Sequence, residues 1–422
     1  MGGGNRPSSA SRPGAMNSRD AAIAADCGRG FDGGRGAGNG LCNIASMQNK
    51  NPPHLDSDSL YTAVFEELVG KDWSITAPVS IDELGIAVGT HLGFKRSRNE
   101  DRFAVARVRA YNEEVYTLAL VCDGVGGSHS GDMAATIAVS SILHELGSLR
   151  TRPTLESLAI SLVKGADDNV RATLKGKGTT TLVMVLGTGS GQGLCASVGD
   201  SRVYGWDRSA AKLSQITTDD TVENELRLIP GDHKALLQAR GLQDRLSQAL
   251  GESDRSSDEL RVQIWGKDRF PDAVVLGSDG LWRASKDFEA VAANAKTAID
   301  VVRRTINVAN WVGGVDNSTL IAIQDLNLFF GSPAAFNPAT SRASLTMWLG
   351  STKVKLQEYL NSSVRTGAAP SPREDKPKRK ARTKEQKKAP AEPQLKFEGD
   401  ISQESRPVIE VTFDKTVDQS KK

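Results

Sequence analysis

Two hydrophobic patterns alternate along the middle of this chain. Short apolar runs at Tyr116–Cys122, Leu182–Leu186 and Ala273–Gly277 have the length and composition of buried β-strands. By contrast, Asp132 to Gly147, Thr154 to Leu174 and Asp287 to Ala309 space their apolar residues at the helical period, which predicts amphipathic helices. The alternation runs from about Ser59 to Asp325 and is long enough for one large core.

Outside that stretch the pattern changes. Residues 1–58 are rich in Gly, Ser and Arg, with almost no apolar periodicity, so a disordered extension is expected there. Residues 59–325 form the expected folded domain. Residues 326–366 are expected to be a helical extension, because Leu345, Trp348, Leu349, Leu356 and Leu360 could line one face of a helix over Ser344 to Leu360. Residues 367–422 read as a basic Pro/Lys-rich tail. Within it Val408 to Phe413 alternates like a lone strand, expected to pair with a sheet edge or dock a protein partner.

Charge sharpens this division only locally. The 422-residue chain carries a net charge of +2, yet eight basic residues lie between Lys376 and Lys388. Such a run is usually a solvated linker, and it lacks the interleaved aromatics that stack on bases, so nucleic acid is not the expected partner. No run of 18 apolar residues occurs, hence no membrane-spanning helix is expected. The four cysteines, Cys27, Cys42, Cys122 and Cys195, are scattered, which suggests reduced thiols in a cytoplasmic setting.

The candidate chemistry sits at four acidic corners: Asn99 to Asp101, Asp123-Gly124, Asp279-Gly280 and Asp316-Asn317. Two of them end the apolar runs at Cys122 and Gly277, where glycine lets the backbone approach closely and the carboxylate faces a cleft. Carboxylates brought together repel one another unless a cation neutralises them. Hard divalent ions take an all-oxygen set, so Mg2+ or Mn2+ fits better than Zn2+, for which His and Cys at ligand spacing are absent. Any single Asp-Gly pair is an ordinary turn; only their joint order argues for a site.

In order, Arg96 to Asp101, Asp123 to Gly127, Thr179 to Leu182, Gly199 to Arg202, Leu246 to Gly251, Ser278 to Leu281 and Gly314 to Asn317 resemble the motifs of the metal-dependent protein phosphatases of type 2C, in their bacterial branch. The resemblance spans Gly85 to Asp325 and implies an α+β fold, an αββα sandwich of two antiparallel sheets flanked by helices. It implies that Asp123 bridges two metal ions, with the Gly124 carbonyl on one of them. Asp279 and Asp316 would complete the first ion's shell, Glu100 and Asp101 would hold waters of the second, and Arg96 would grip the substrate phosphate. Asp200, with Asp279, would correspond to a third, weaker metal position. The implied reaction is hydrolysis of phosphoserine and phosphothreonine in proteins by a metal-bridging hydroxide, opposing a Ser/Thr kinase.

Two departures accompany it. Val125 stands where some members carry His, and Asp219-Asp220 replaces an Asp-His pair. Val222 to Asp244 fits a variable flap expected to influence substrate choice, whereas Thr179 to Thr181 and Leu246 to Gly251 read as structural, and Ser201 and Arg202 as braces for the Asp200 loop. The alternative from another class is a catalytically silent phosphoprotein-binding or scaffold module working through the tail. Retention of Arg96, Asp123, Asp279 and Asp316 together argues against it.

Overall fold

In the computed structural model, which describes residues 60–125, 130–229, 231, 237, 240–242, 244–331, 341–359 and 409–413, successive residues of β12 (Val274–Gly277) and β13 (Ser318–Ile323) enter two different cores. Val274, Leu276, Ile321 and Ile323 join one cluster, and Val275, Leu320 and Ala322 the other. Strand side chains alternate between faces, so strands buried on both faces must lie inside a stack of layers.

The stack has four layers. One sheet runs in the order β1 (Ile75–Ile81), β2 (Ile86–His91), β13, β12, β9 (Arg202–Asp207), β10 (Lys212–Gln215). The other runs β11 (Gln263–Gly266), β8 (Gly193–Val198), β7 (Leu182–Thr188), β4 (Val115–Cys122), β3 (Arg102–Arg109), β14 (Ser341–Leu349), β15 (Thr352–Tyr359), β16 (Ile409–Phe413). Every pairing is antiparallel, as is that of the short β5 (Gly124–Val125) with β6 (Thr179–Thr180). The first core fills the space between the sheets and extends beneath the helices of the second sheet; the second lies under those of the first.

Helices α1 (Leu60–Gly70), α2 (Gly131–Gly147) and α3 (Leu155–Leu174) cover the second sheet's side. After the short α4 (Val222–Arg227), α5 (Phe288–Ala293) and α6 (Ala298–Trp311) cover the first, and α7 (Leu326–Gly331) follows β13. Thr154 starts α3 by accepting from the Ser157 amide at 3.2 Å, and Lys175 ends it in the left-handed region at φ 51°. The single helix expected over Asp287 to Ala309 is two, because Thr297 caps a new one by accepting from the Asp300 amide at 3.3 Å. No helix among the described residues is long and apolar enough to cross a membrane.

The helical extension expected after residue 325 is a correction. Ser344 to Tyr359 belongs to the hairpin β14–β15, closed by Gly350 and Ser351 with Gly350 at φ 71°. Leu345, Leu349 and Leu356 fit a strand face as well as a helix face: with Met347 and Val354 they are buried at a period of two, whereas Trp348, also buried, alternates to the other face and Leu360 lies outside the described residues. Pairing β14 with the free edge of β3 satisfies backbone groups that a lone docked helix would leave on that edge exposed. The second sheet therefore continues past the boundary expected at residue 325. The strand-like tail motif pairs with the outer edge of β15 as β16. The N-terminal extension and the basic run at Lys376 to Lys388 lie outside the described residues.

One half-buried acid sets a pH test of this packing. Glu145 of α2 lies where α3 has Gly165, whose missing Cβ leaves the room its carboxyl occupies. Burial, with Asp168 close by, pushes Glu145 up to about 7 from its ordinary 4.5. A raised acid loses stability as it ionises: the cost is absent below pH 4.5, grows through about 7 and is complete above. Glu145→Gln should therefore melt higher than the parent at pH 8, by roughly 2 kcal/mol, and equal it near pH 4. Melting curves at the two pH values check this.

Candidate active site

Five acidic side chains that are far apart in sequence meet where the two sheets' strands end. Asp101 precedes β3, Asp123 follows β4, Asp200 precedes β9, Asp279 follows β12 and Asp316 precedes β13. The corners are held in place by close backbone contact. A Cβ on Gly124 would overlap the backbone of Gly131, and one on Gly280 would overlap the Asn317 carbonyl, so both turns need glycine.

Hydrogen bonds aim the carboxyls. Asp101 is fully buried, and its Oδ2 accepts from Ser278 Oγ at 2.7 Å and Thr319 Oγ1 at 2.6 Å, while its Oδ1 has no partner. The Asp123 amide donates to Thr181 Oγ1 at 3.1 Å, and the Asp123 carbonyl accepts from the Thr181 amide at 2.9 Å. The carboxyl groups of Asp123 and Asp279 are close enough to share a hydrogen bond. Asn317 ties the rim together: its Oδ1 accepts from the Glu100 amide at 2.8 Å and its Nδ2 donates to the carbonyls of Leu92 and Arg98 at 2.7 and 3.1 Å.

The electrostatics follow from that crowding. Burial, then the charges of Asp279 and Asp316, lift Asp101 to about 7 against the opposing hydroxyl bonds. Burial and the carboxylates of Asp101, Asp279, Asp200 and Asp316 hold Asp123 well above the usual range. Asp200 is lifted to about 7 by burial and Asp279. Burial raises Asp279, Arg283 opposing it, and burial with Asp132 raises Glu100. Two guanidinium groups supply positive charge: Arg96 Nη2 to Asp316 Oδ2 at 2.7 Å, and Arg283 to Asp200 and Asp279.

Among the described residues no three acidic, His or Cys groups form a preformed cage for an ion. The donor set nevertheless fits oxygen-seeking divalent ions: it is all oxygen, its members disfavour each other's ionisation, and Asp101 keeps a buried Oδ1 without a partner. Asp101, Asp123, Asp279 and Asp316 would hold such ions, with Glu100 and the Gly124 carbonyl beside them. A polar cleft of about 510 Å³ opens beside Asp200, walled by Asp219, Glu223, Trp282 and Arg283.

Of the residues singled out from the sequence, Asp101, Asp123, Asp200, Asp279 and Asp316 come together, with Glu100 and Arg96 at the rim. Asp219 and Asp220, at the departure from the family pattern, are structural. Asp219 receives Arg202 Nη2 at 2.7 Å, and Asp220 accepts from the Gly199 amide at 2.9 Å and Gln248 Nε2 at 2.8 Å, which fixes the turn before Asp200. Thr181 does more than form strand, since it bonds the Asp123 amide and Ser201 Oγ. Ser278, Thr319, Asn317 and Arg283 were missed as site residues; Ser278 and Asn317 stood inside quoted motifs, but no spacing signals the long-range bonds they make. Val125 is partly exposed beside Gly124, and His129 lies outside the described residues.

Comparison with known proteins shows what the chain is similar to. A family model described as protein phosphatase 2C matches residues 88–317. The serine/threonine phosphatase stp of Listeria monocytogenes serovar 1/2a is 27% identical over 248 residues, covering 56% of this chain and 93% of that protein. Protein phosphatase PhpP of Streptococcus pneumoniae serotype 2 is 26% identical over 261 residues, covering 57% and 97%. Among solved structures, the PPM Ser-Thr phosphatase MsPP from Mycobacterium smegmatis in complex with cacodylate is 26% identical, with a TM-score of 0.45, covering 57% of this chain and 97% of that one.

Proposed function

The chain belongs to the protein phosphatase 2C family, and from that premise we propose that it is a metal-dependent serine/threonine phosphatase acting on phosphoproteins, with Mn2+ or Mg2+ as its ions. The observation that carries this reading is the convergence of Asp101, Asp123, Asp279 and Asp316, from four separated strand ends, with Arg96 beside them. Its relatives are named as serine/threonine phosphatases, and the chain covers nearly their whole length, which supports the activity over a silent binding module. We further read it as cytoplasmic, in keeping with the free thiols of Cys122 and Cys195, and as opposing a Ser/Thr kinase; the tail remains a candidate dock for a protein partner.

When bound, two divalent ions would supply a water acidic enough to attack phosphorus near neutral pH and positive charge for the phosphoryl oxygens. The chain's own residues do the rest. Asp123, which feels the charges of Asp101, Asp279 and Asp316, would hold the ions together with those carboxylates, with Glu100 beside them. Ser278 and Thr319 fix one oxygen of Asp101 and leave the other, Oδ1, available. Arg96 is half exposed, is held by one ion pair to Asp316, and can swing a planar fork to a phosphate.

Two measurements test this. With Mn2+, the purified chain should hydrolyse phosphothreonine and phosphoserine peptides; a folded chain without turnover on either would move the weight to the binding-module reading. Arg96→Ala should lower kcat/KM on the phosphothreonine peptide by roughly 10- to 100-fold, mainly by raising KM. Unaltered kinetics in that variant would remove Arg96 from the phosphate-binding role.

A further inference from the structure

Arg283 stands where the family resemblance implies a third, weaker metal position. Its Nη2 lies 2.7 Å from Asp200 Oδ2 and its Nε 2.9 Å from Asp279 Oδ2, so one guanidinium bridges the two carboxylates expected to share that ion. The bridge is anchored from both ends. The Arg283 amide donates to the Asp279 carbonyl at 3.0 Å, which fixes the residue one turn from its partner, and Nη2 also reaches the Asp244 carbonyl at 3.4 Å.

The neighbouring charges are committed elsewhere. Arg202 is bound by Asp219 and stacks on Trp282 at 4.7 Å, so among the described residues Arg283 is the cation paired with Asp200. Asp200 and Asp279 are only 4% and 9% exposed, and two buried carboxylates side by side require a counter-charge. A divalent ion entering between them would have to break both ion pairs and would then face the displaced guanidinium. Arg96 differs, being held by a single pair with no second anchor.

We infer that Arg283 is a built-in counter-ion that replaces the third metal, so this chain works with two ions, and that it acts as a positioning residue holding Asp279 toward Asp123. This rests on the phosphatase reading above and deepens it. Asp200 then serves to hold Arg283 and is not a metal ligand.

Equilibrium dialysis of the full chain against Mn2+ tests the inference by stoichiometry and not by turnover. The parent and Asp200→Asn should each bind two ions. Arg283→Ala should gain a third, at least about tenfold tighter than any third ion in the parent, because a like charge has been removed and two carboxylates freed. The double variant Arg283→Ala/Asp200→Asn should lose that gain, and Arg283→Lys should stay at two. Three ions in the parent with one lost in Asp200→Asn, or an Arg283→Ala variant that still binds two while melting as the parent does, overturns the inference and leaves the phosphatase reading intact. A parent that binds no Mn2+ removes the phosphatase reading itself. Should Arg283→Ala not fold, Asp200→Asn alone decides: loss of an ion contradicts the inference and retention of both supports it.

Discussion

Asp123→Asn is expected to lose at least about a thousandfold in turnover of a phosphothreonine peptide with Mn2+, while its metal-free form melts higher than the parent. Both halves come from the same crowding. Asp123 is surrounded by Asp101, Asp279, Asp200 and Asp316, and burial with these charges holds its acidity well below normal. An amide keeps the shape and removes a negative charge that the fold disfavours. The sign follows: a raised acid destabilises once pH exceeds its unfolded value, so the gain should be present at pH 7 and absent near pH 3. On the proposed function that charge would also help hold the divalent ions, so catalysis is lost as stability rises. Peptide hydrolysis and calorimetric melts in chelator, at the two pH values, check the pair of effects; unchanged turnover would sink the assignment of Asp123.

Gly280→Ala is expected to cost on the order of 3 kcal/mol and to drop the melting temperature by roughly 10 °C. A methyl at Gly280 would overlap the Asn317 carbonyl, which is backbone and cannot rotate away. Asn317 also holds the Glu100 amide and the carbonyls of Leu92 and Arg98, so a shift there moves Glu100, Asp279 and Asp316 together. Activity should fall with stability even at temperatures where the variant is folded. Melting curves and hydrolysis at a low temperature separate the two; a melt within a degree of the parent's would show that the corner is looser than its contacts indicate.

The parts of the site that were legible in sequence are those set by local chemistry. An apolar run of strand length ending at Asp-Gly marks a carboxylate at a strand end, and Asp123 and Asp279 stand there. The unbroken apolar run that became β12 and the helical periodicity of α3 were equally local signals. What stayed hidden depends on tertiary pairing. Thr319 and Ser278 reach Asp101 from 218 and 177 residues away, and hydroxyl residues carry no spacing that predicts such bonds. Leu345, Leu349 and Leu356 suit a helix face and a strand face equally, and the open edge of β3, invisible in sequence, decided for the strand. No local pattern marks Arg283, whose role depends on Asp200, brought to it by the fold from the start of β9.

On the proposed function, this carboxylate cluster works only through divalent ions. The most direct test strips the full chain with chelator, then follows phosphothreonine-peptide hydrolysis as Mn2+ or Mg2+ is returned. The stripped protein should show no turnover and the returned ion a saturable recovery, which is absent from Asp123→Asn at every concentration. Full turnover that persists after stripping would contradict it.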